Sequence, residues 1–228
     1  MRSRYRAALV ASSTLLAMAV LAPAVLGRQG VAWTFDDIPA GQPPPQFVSA
    51  GPDPGRWRVA RDGANGVLAE DGPGGGVARL AIADGTSFGD LIVSGRLRFP
   101  AGAGSAGLAW RYRDADNYYF AALDLREQEV RIYRVTDGTR RRMEDQEDLE
   151  IDPGAWHSVK VEHQGTRIRV WIDGVPVADA RGRIDDRRGR TIEEPGAVGV
   201  WTSGVSSAWF DDLRATAADE SELNRRRD

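Results

Sequence analysis

Short runs of alternating apolar and polar residues, separated by turn dipeptides, recur along the chain from Trp57 onward. In Leu91–Phe99, the residues Leu91, Val93, Leu97 and Phe99 share one parity, while Ser94, Arg96 and Arg98 take the other. Arg167–Ile172 repeats the pattern, with Ile168, Val170 and Ile172 set against Arg167, Arg169 and Trp171. Successive side chains of a strand point to opposite faces, so such a run predicts a strand buried on one side only, the habit of antiparallel sheets. Similar β-rich runs predict strands over Trp57–Ala60, Val67–Glu70, Val77–Ala83, Gly107–Arg113, Tyr118–Leu125, Glu129–Val135, Trp156–His163, Val198–Thr202 and Ala208–Arg214. The dipeptides Asp62-Gly63, Asp137-Gly138, Gln164-Gly165 and Asp173-Gly174 tolerate positive φ and predict hairpin turns. With no amphipathic helical stretch between these runs, the pattern predicts an all-β, two-sheet antiparallel sandwich.

Two stretches break the alternation. Pro39–Gly55 carries six prolines and no period, which predicts a long surface connection. Arg140–Asp152 opens with three arginines and continues with six acidic residues, which predicts a solvated loop.

The N-terminus adds a second kind of signal. Arg2, Arg4 and Arg6 precede an apolar run from Ala7 to Leu26, and small residues follow that suit cleavage after Ala24 or Gly27. That is the plan of a secretory signal peptide over residues 1–27, so the expected location is periplasmic or extracellular. The expected domain runs over 28–215, with a flexible tail over 216–228. Later segments are too short and polar to cross a bilayer. Removing Arg2, Arg4 and Arg6 takes 30 basic residues to 27 against 33 acidic ones, a charge of about −6. That balance argues against nucleic acid as a partner. The chain has no cysteine, so the exported fold must stand without disulfides.

Several segments, in order, resemble a known superfamily. They are Gly107–Phe120, Val130–Val135, Gly154–Val161, Ile172–Val175, Val198-Gly-Val-Trp-Thr202 and Phe210-Asp-Asp-Leu213. Together they resemble the concanavalin A-like lectin/glucanase superfamily, closest to the bacterial secreted modules grouped as 3-keto-disaccharide hydrolase and laminin-G-like domains. The resemblance spans about Ala32 to Ala215 and implies a jelly-roll sandwich. It implies less about activity, because the superfamily holds lectins, binding modules and glycosidases alike. The chain departs from the pattern at Ser203-Gly204-Val205, where related modules often carry Lys-Ala-Asp.

Catalytic motifs are incomplete. Glu150-Ile151-Asp152 starts the Glu-x-Asp-x-x-Glu pattern of glucanases, but Pro153, Gly154 and Ala155 follow and the second glutamate is missing. Gly85–Gly89 spells a nucleophile elbow, yet a strand follows it where that motif needs a helix. Catalytic residues are therefore unassigned; a reaction on a 3-keto-glycoside would need an acid or base in the same concavity, for which Asp124 and Glu129 are the nearest carboxylates in sequence.

The candidate ligand-binding set is Arg111, Asn117, Tyr119, Arg131, Tyr133 and Trp201. Aromatic faces stack on sugar C–H surfaces and planar polar groups fix hydroxyls, so these residue types on one concave sheet face predict a glycan or glycoside ligand. Arg111 and Trp201 fall in segments that carry the resemblance. Asp36 and Asp212, in the first and last strands, are the candidate ligands of a structural calcium. The leading expectation is a secreted carbohydrate-recognition module. Two alternatives stand beside it: a hydrolase acting on 3-keto-glycosides, and a structural or interaction module of the cell envelope.

Overall fold

A computed structural model describes residues 30–70, 76–100, 104–181, 192–204 and 207–218. The expected export segment lies outside these residues, as does the end of the expected tail. The described residues contain fifteen strands, all paired antiparallel in two sheets. The first half of the chain gives β1 (Val31–Trp33), β2 (Phe47–Ala50), β3 (Trp57–Asp62), β4 (Asn65–Glu70), β5 (Arg79–Ala83), β6 (Leu91–Arg98) and β7 (Ser105–Asp114). The second half gives β8 (Asn117–Asp124), β9 (Glu129–Thr136), β10 (Thr139–Gln146), β11 (His157–Gln164), β12 (Arg167–Ile172), β13 (Val175–Arg181), β14 (Ala197–Thr202) and β15 (Ala208–Ala217).

The first sheet runs β13-β12-β11-β6-β15-β4-β3, with β1 added against β15. The second runs β10-β9-β8-β7-β14-β5-β2. The last two strands therefore enter the middle of the sheets, β15 between β6 and β4 and β14 between β7 and β5. This is a jelly-roll sandwich, as the alternation and the resemblance predicted. The turn dipeptides sit where hairpins need them: Asp173 (φ 49°) and Gly174 (φ 80°) join β12 to β13, and Asp137 (φ 49°) and Gly138 (φ 71°) join β9 to β10.

Four strands went unpredicted, and the chain corrects two loop assignments. Phe47–Ala50 lies inside the proline-rich stretch as β2, and Thr139–Gln146 lies inside the charged stretch as β10. β2, β10 and β13 are edge strands, and β1 pairs with β15 alone. Edge strands with little buried surface carry no apolar period, and charged residues are favoured there because they discourage edge-to-edge pairing. β15 also continues to Ala217, past the expected domain end.

The main core lies between the sheets and draws on both, with Phe210, Leu68 and Val161 from the first and Leu108, Trp110 and Leu123 from the second. An ion cluster joins the sheets at one end. Arg79 of β5 pairs with Glu70 of β4 at 2.9 Å and with Asp53 at 2.7 Å, and both Arg79 and Glu70 are buried.

Candidate functional site

The second sheet carries apolar residues on both faces. Along β8, Tyr119, Ala121 and Leu123 join the inter-sheet core, whereas Tyr118, Phe120 and Ala122 join a separate cluster with Leu80, Ile82, Ala109, Val135 and Trp201. Opposite parity on one strand means opposite faces, so this cluster occupies the outer face. Its rings form a ladder: Trp201 stacks on Phe120 at 4.4 Å and Phe120 on Tyr133 at 4.8 Å, with interplanar angles of 16° and 19°. Trp201 faces Gly107 of β7, where an added Cβ would meet the Ala121 carbonyl oxygen at 1.8 Å. Two of its three rings are buried, and Tyr133 is half-buried. Phe120 is 0% and Trp201 4% exposed, and burial pushes the Tyr118 hydroxyl up to about 12.

The six expected ligand-binding residues separate on this frame. Trp201 and Tyr133 meet through Phe120, and Arg131 lies on the Tyr133 face, ion-paired to the buried Glu129. Asn117 fastens turns: its Nδ2 donates to Asp114 Oδ1 at 2.9 Å and its Oδ1 accepts from the Asp137 amide at 3.2 Å. Tyr119 faces the core, stacked on Trp110 at 5.9 Å, with its hydroxyl accepting the Ile192 amide. Arg111 sits at positive φ (46°), inside the irregular pairing between Trp110 and Asp114. It is 2% exposed and donates to the Gly89 and Ile192 carbonyls and to Asp90 Oδ1 at 2.8–2.9 Å. The structure therefore does not bring Arg111 or Tyr119 together with Trp201. The period-2 pattern could not reveal this, because β8 is apolar at both parities and a bulge removes Arg111 from the count.

The first and last strands do lie side by side, with Trp33 opposite Leu213. Asp36 Oδ1 accepts the Gly66 amide at 2.8 Å, and Asp212 pairs with Arg96 Nε at 2.8 Å, so each expected calcium ligand already holds a partner within the chain. Glu129, Asp145 and Glu147 each bring one oxygen within 4.8 Å of the others, but Glu129 is held by Arg131. Asp124 caps the turn that follows β8, accepting the Arg126 and Glu127 amides.

Among the described residues, two open hollows lie on the outer face of the first sheet. A hollow of about 580 Å³ is lined by Ser94, Arg96, Lys160, Trp171, Asp212 and Arg214, among others. A second, of about 550 Å³, is lined by Arg167, Arg169, Trp171, Val177 and Asp179, among others. Trp171, half-buried, belongs to both and stands as the wall between them. Strand register builds the floor as one row: Arg214 faces Ser94, Ser94 faces Lys160, Lys160 faces Trp171 and Trp171 faces Pro176. The Lys160 ammonium lies 3.7 Å from the Trp171 ring centre, and the Arg169 guanidinium lies 5.4 Å from it. Beside the row, Asp212 takes positive φ (49°) where the pairing of β15 with β6 shifts, so Asp211 and Asp212 both reach Arg96, at 2.9 and 2.8 Å. Further along the sheet, Arg96 covers Trp156 and Arg98 covers Trp209. The alternation in Leu91–Phe99 and Arg167–Ile172 had placed Ser94, Arg96, Arg169 and Trp171 on solvent faces. Only the non-sequential order β12-β11-β6-β15 joins them into one surface.

The sequence model of the 3-keto-alpha-glucoside-1,2-lyase-like domain matches residues 47–216. Among solved structures, a carbohydrate-binding module of Bacillus subtilis superposes with a TM-score of 0.62 at 18% identity, covering 75% of this chain and 96% of that one. A Bacillus subtilis protein of unknown function with a galectin-like fold follows, with a TM-score of 0.58 at 12% identity over 75% of this chain and 88% of that one. LamAcat of Zobellia galactanivorans gives 0.53 at 10% identity over 82% and 96%. No curated protein matches the chain. At these identities the likeness is one of fold.

Proposed function

This chain belongs to the family of 3-keto-alpha-glucoside-1,2-lyase-like domains, and from that premise we propose that it is an exported carbohydrate-binding module whose ligand rests against Trp171. One observation carries the reading: a half-buried tryptophan divides two open hollows on a sheet face, each lined by charged and apolar side chains. Sugars need an aromatic surface for their C–H faces and convergent polar groups for their hydroxyls, in a preformed concavity. The outer face of the first sheet offers both, whereas Phe120 and Trp201 of the aromatic ladder on the second sheet are buried. A carbohydrate-binding module with the same fold supports the reading. The export segment, with its basic start and apolar run, supports a location where extracellular glycans are met.

A second reading rests on the family's name. Asp212 is a carboxylate that lines the first hollow, and an enzyme acting on 3-keto-glycosides would need such a group there. Its carboxylate is engaged in an ion pair with Arg96 at 2.8 Å, an arrangement that suits recognition. A glycan array on the purified protein, run beside an assay on a 3-keto-glucoside, separates the two. Saturable binding without turnover is the expected result. Turnover lost in Asp212→Asn would replace it with the enzyme reading.

A further inference from the structure

We infer that the ligand of this face is a neutral oligosaccharide, a chain of several sugar rings that spans both hollows and is held by one guanidinium–carboxylate pair in each. The inference rests on the glycan-binding reading above and adds to it the length of the ligand. It starts from a likeness between the hollows. In the first, Asp212 meets Arg96 Nε at 2.8 Å, and in the second, Asp179 Oδ1 accepts from Arg167 Nε at 2.8 Å. All four side chains are between 40% and 44% exposed, so the two pairs are equally open to a ligand. Adjacent hydroxyls of a sugar each donate and accept. A half-exposed pair answers them, because a guanidinium has more N–H groups, and a carboxylate more lone pairs, than their mutual contact uses.

Strand register sets the distance between the pairs. Arg96 on β6 lies opposite Ser158 of β11, and Arg167 on β12 lies opposite Gln164, six residues further along the same strand. At ~3.4 Å per residue and ~4.8 Å per strand spacing, the two arginine backbones stand roughly 20 Å apart. One sugar ring can engage one pair and cannot reach the other. Lys160 and Trp171, opposite each other in the register, stand between the pairs, with the ammonium 3.7 Å from the ring centre. Lys160 already occupies part of the ring. Trp171 is therefore a ridge that a chain passes over, with sugar units on either side, and not a floor on which one ring lies flat. In the second hollow the charges are matched within the chain, Arg167 by Asp179 and Arg169 by Glu162. That hollow asks for hydroxyls and not for an anion.

The test is calorimetric titration with neutral gluco-, xylo-, galacto- and fructo-oligosaccharides, each from disaccharide to hexasaccharide. In at least one series the hexasaccharide should bind about tenfold or more tighter than the disaccharide. Arg167→Ala and Asp212→Asn should each cost the hexasaccharide about tenfold and bring it close to the disaccharide, since each variant disables one end of the groove. Asp179→Asn should act on the second hollow as Arg167→Ala does, and it keeps the test standing if the arginine variant disturbs the fold. Equal affinity for disaccharide and hexasaccharide, lost in Trp171→Ala, would leave the glycan site standing and overturn the chain across two hollows. Length dependence that persists in both Arg167→Ala and Asp179→Asn, or in Asp212→Asn, would place the chain off that hollow and overturn it too. A loss in these variants that is equal at every length would have the same consequence. Failure of every series to bind would overturn the underlying reading along with this one.

Discussion

The indole N–H of Trp110 donates to Nδ1 of His163 at 2.8 Å, deep in the sandwich. His163 Nε2 faces the Gly165 carbonyl oxygen at 3.1 Å, so the ring is held as the neutral tautomer with its proton on Nε2. Burial, with Arg111 nearby, pulls its pKa down to about 3. Unfolded histidine titrates near 6.5, so the unfolded chain binds the extra proton first as pH falls. Stability from the neutral ring is complete above about pH 6.5 and lost between there and about pH 3, at up to ~1.4 kcal/mol per pH unit. Urea unfolding at pH 7, 5.5 and 4.5 checks this. His163→Leu should lower stability at pH 7 and flatten the slope; an unchanged slope would remove His163 as its source.

Arg111 is a fastener. Its three hydrogen bonds tie β7 to the Gly89–Asp90 turn and to Ile192, and Asp90 also accepts the Gly165 amide. Arg111→Ala should cost roughly 2–4 kcal/mol, because buried acceptors lose their donor. For a domain of this size that lowers Tm by about 10 °C. Calorimetry should show this drop while glycan affinity at the Trp171 hollows stays within twofold of the parent, about 0.4 kcal/mol.

Arg79 stands in one sheet and its partner Glu70 in the other, both buried. Arg79→Met leaves the Glu70 carboxylate without this cation, a loss on the order of 3–5 kcal/mol. Replacing both at once with Arg79→Met and Glu70→Gln should recover part of the loss. Additive losses in a double-mutant cycle would show that the pair is not coupled.

Export makes its own prediction. Secreted material should begin near Val25 or Arg28 by N-terminal sequencing, as the small residues before these positions require. Intact residues 1–24 on cytoplasmic protein would refute it.

Strands with one buried face were legible because parity sorts them, as Leu91–Arg98 shows with every second residue buried. Thr139–Gln146 was not, since an exposed edge strand with Met143 as its single apolar residue carries no period. The proposed binding surface was half legible. Trp171, Arg169, Ser94 and Arg96 were each placed outward by parity, but their union depends on β15 entering the sheet beside β6. The burial of Trp201 was not legible for a related reason: β14 is buried at both parities, so sequence could not tell an open aromatic face from a covered one.

Trp171 and Trp201 therefore make opposite predictions. Trp171 is half-buried between two hollows and touches cations on the sheet face, so Trp171→Ala removes the proposed ligand surface and little core. Stacking and pocket-lining aromatics dominate such sites, and the loss should weaken glycan binding about tenfold or more while Tm moves by only a few degrees. Trp201 is sealed against Phe120, so Trp201→Ala opens a void in the ladder and should cost about 3–5 kcal/mol, with Tm falling by about 10 °C. Its glycan affinity, measured below the new Tm, should match the parent's. Titration and calorimetry on the two variants are enough to decide. Binding lost in Trp201→Ala and kept in Trp171→Ala would move the site to the second sheet, and the reading proposed for the first would fall with it.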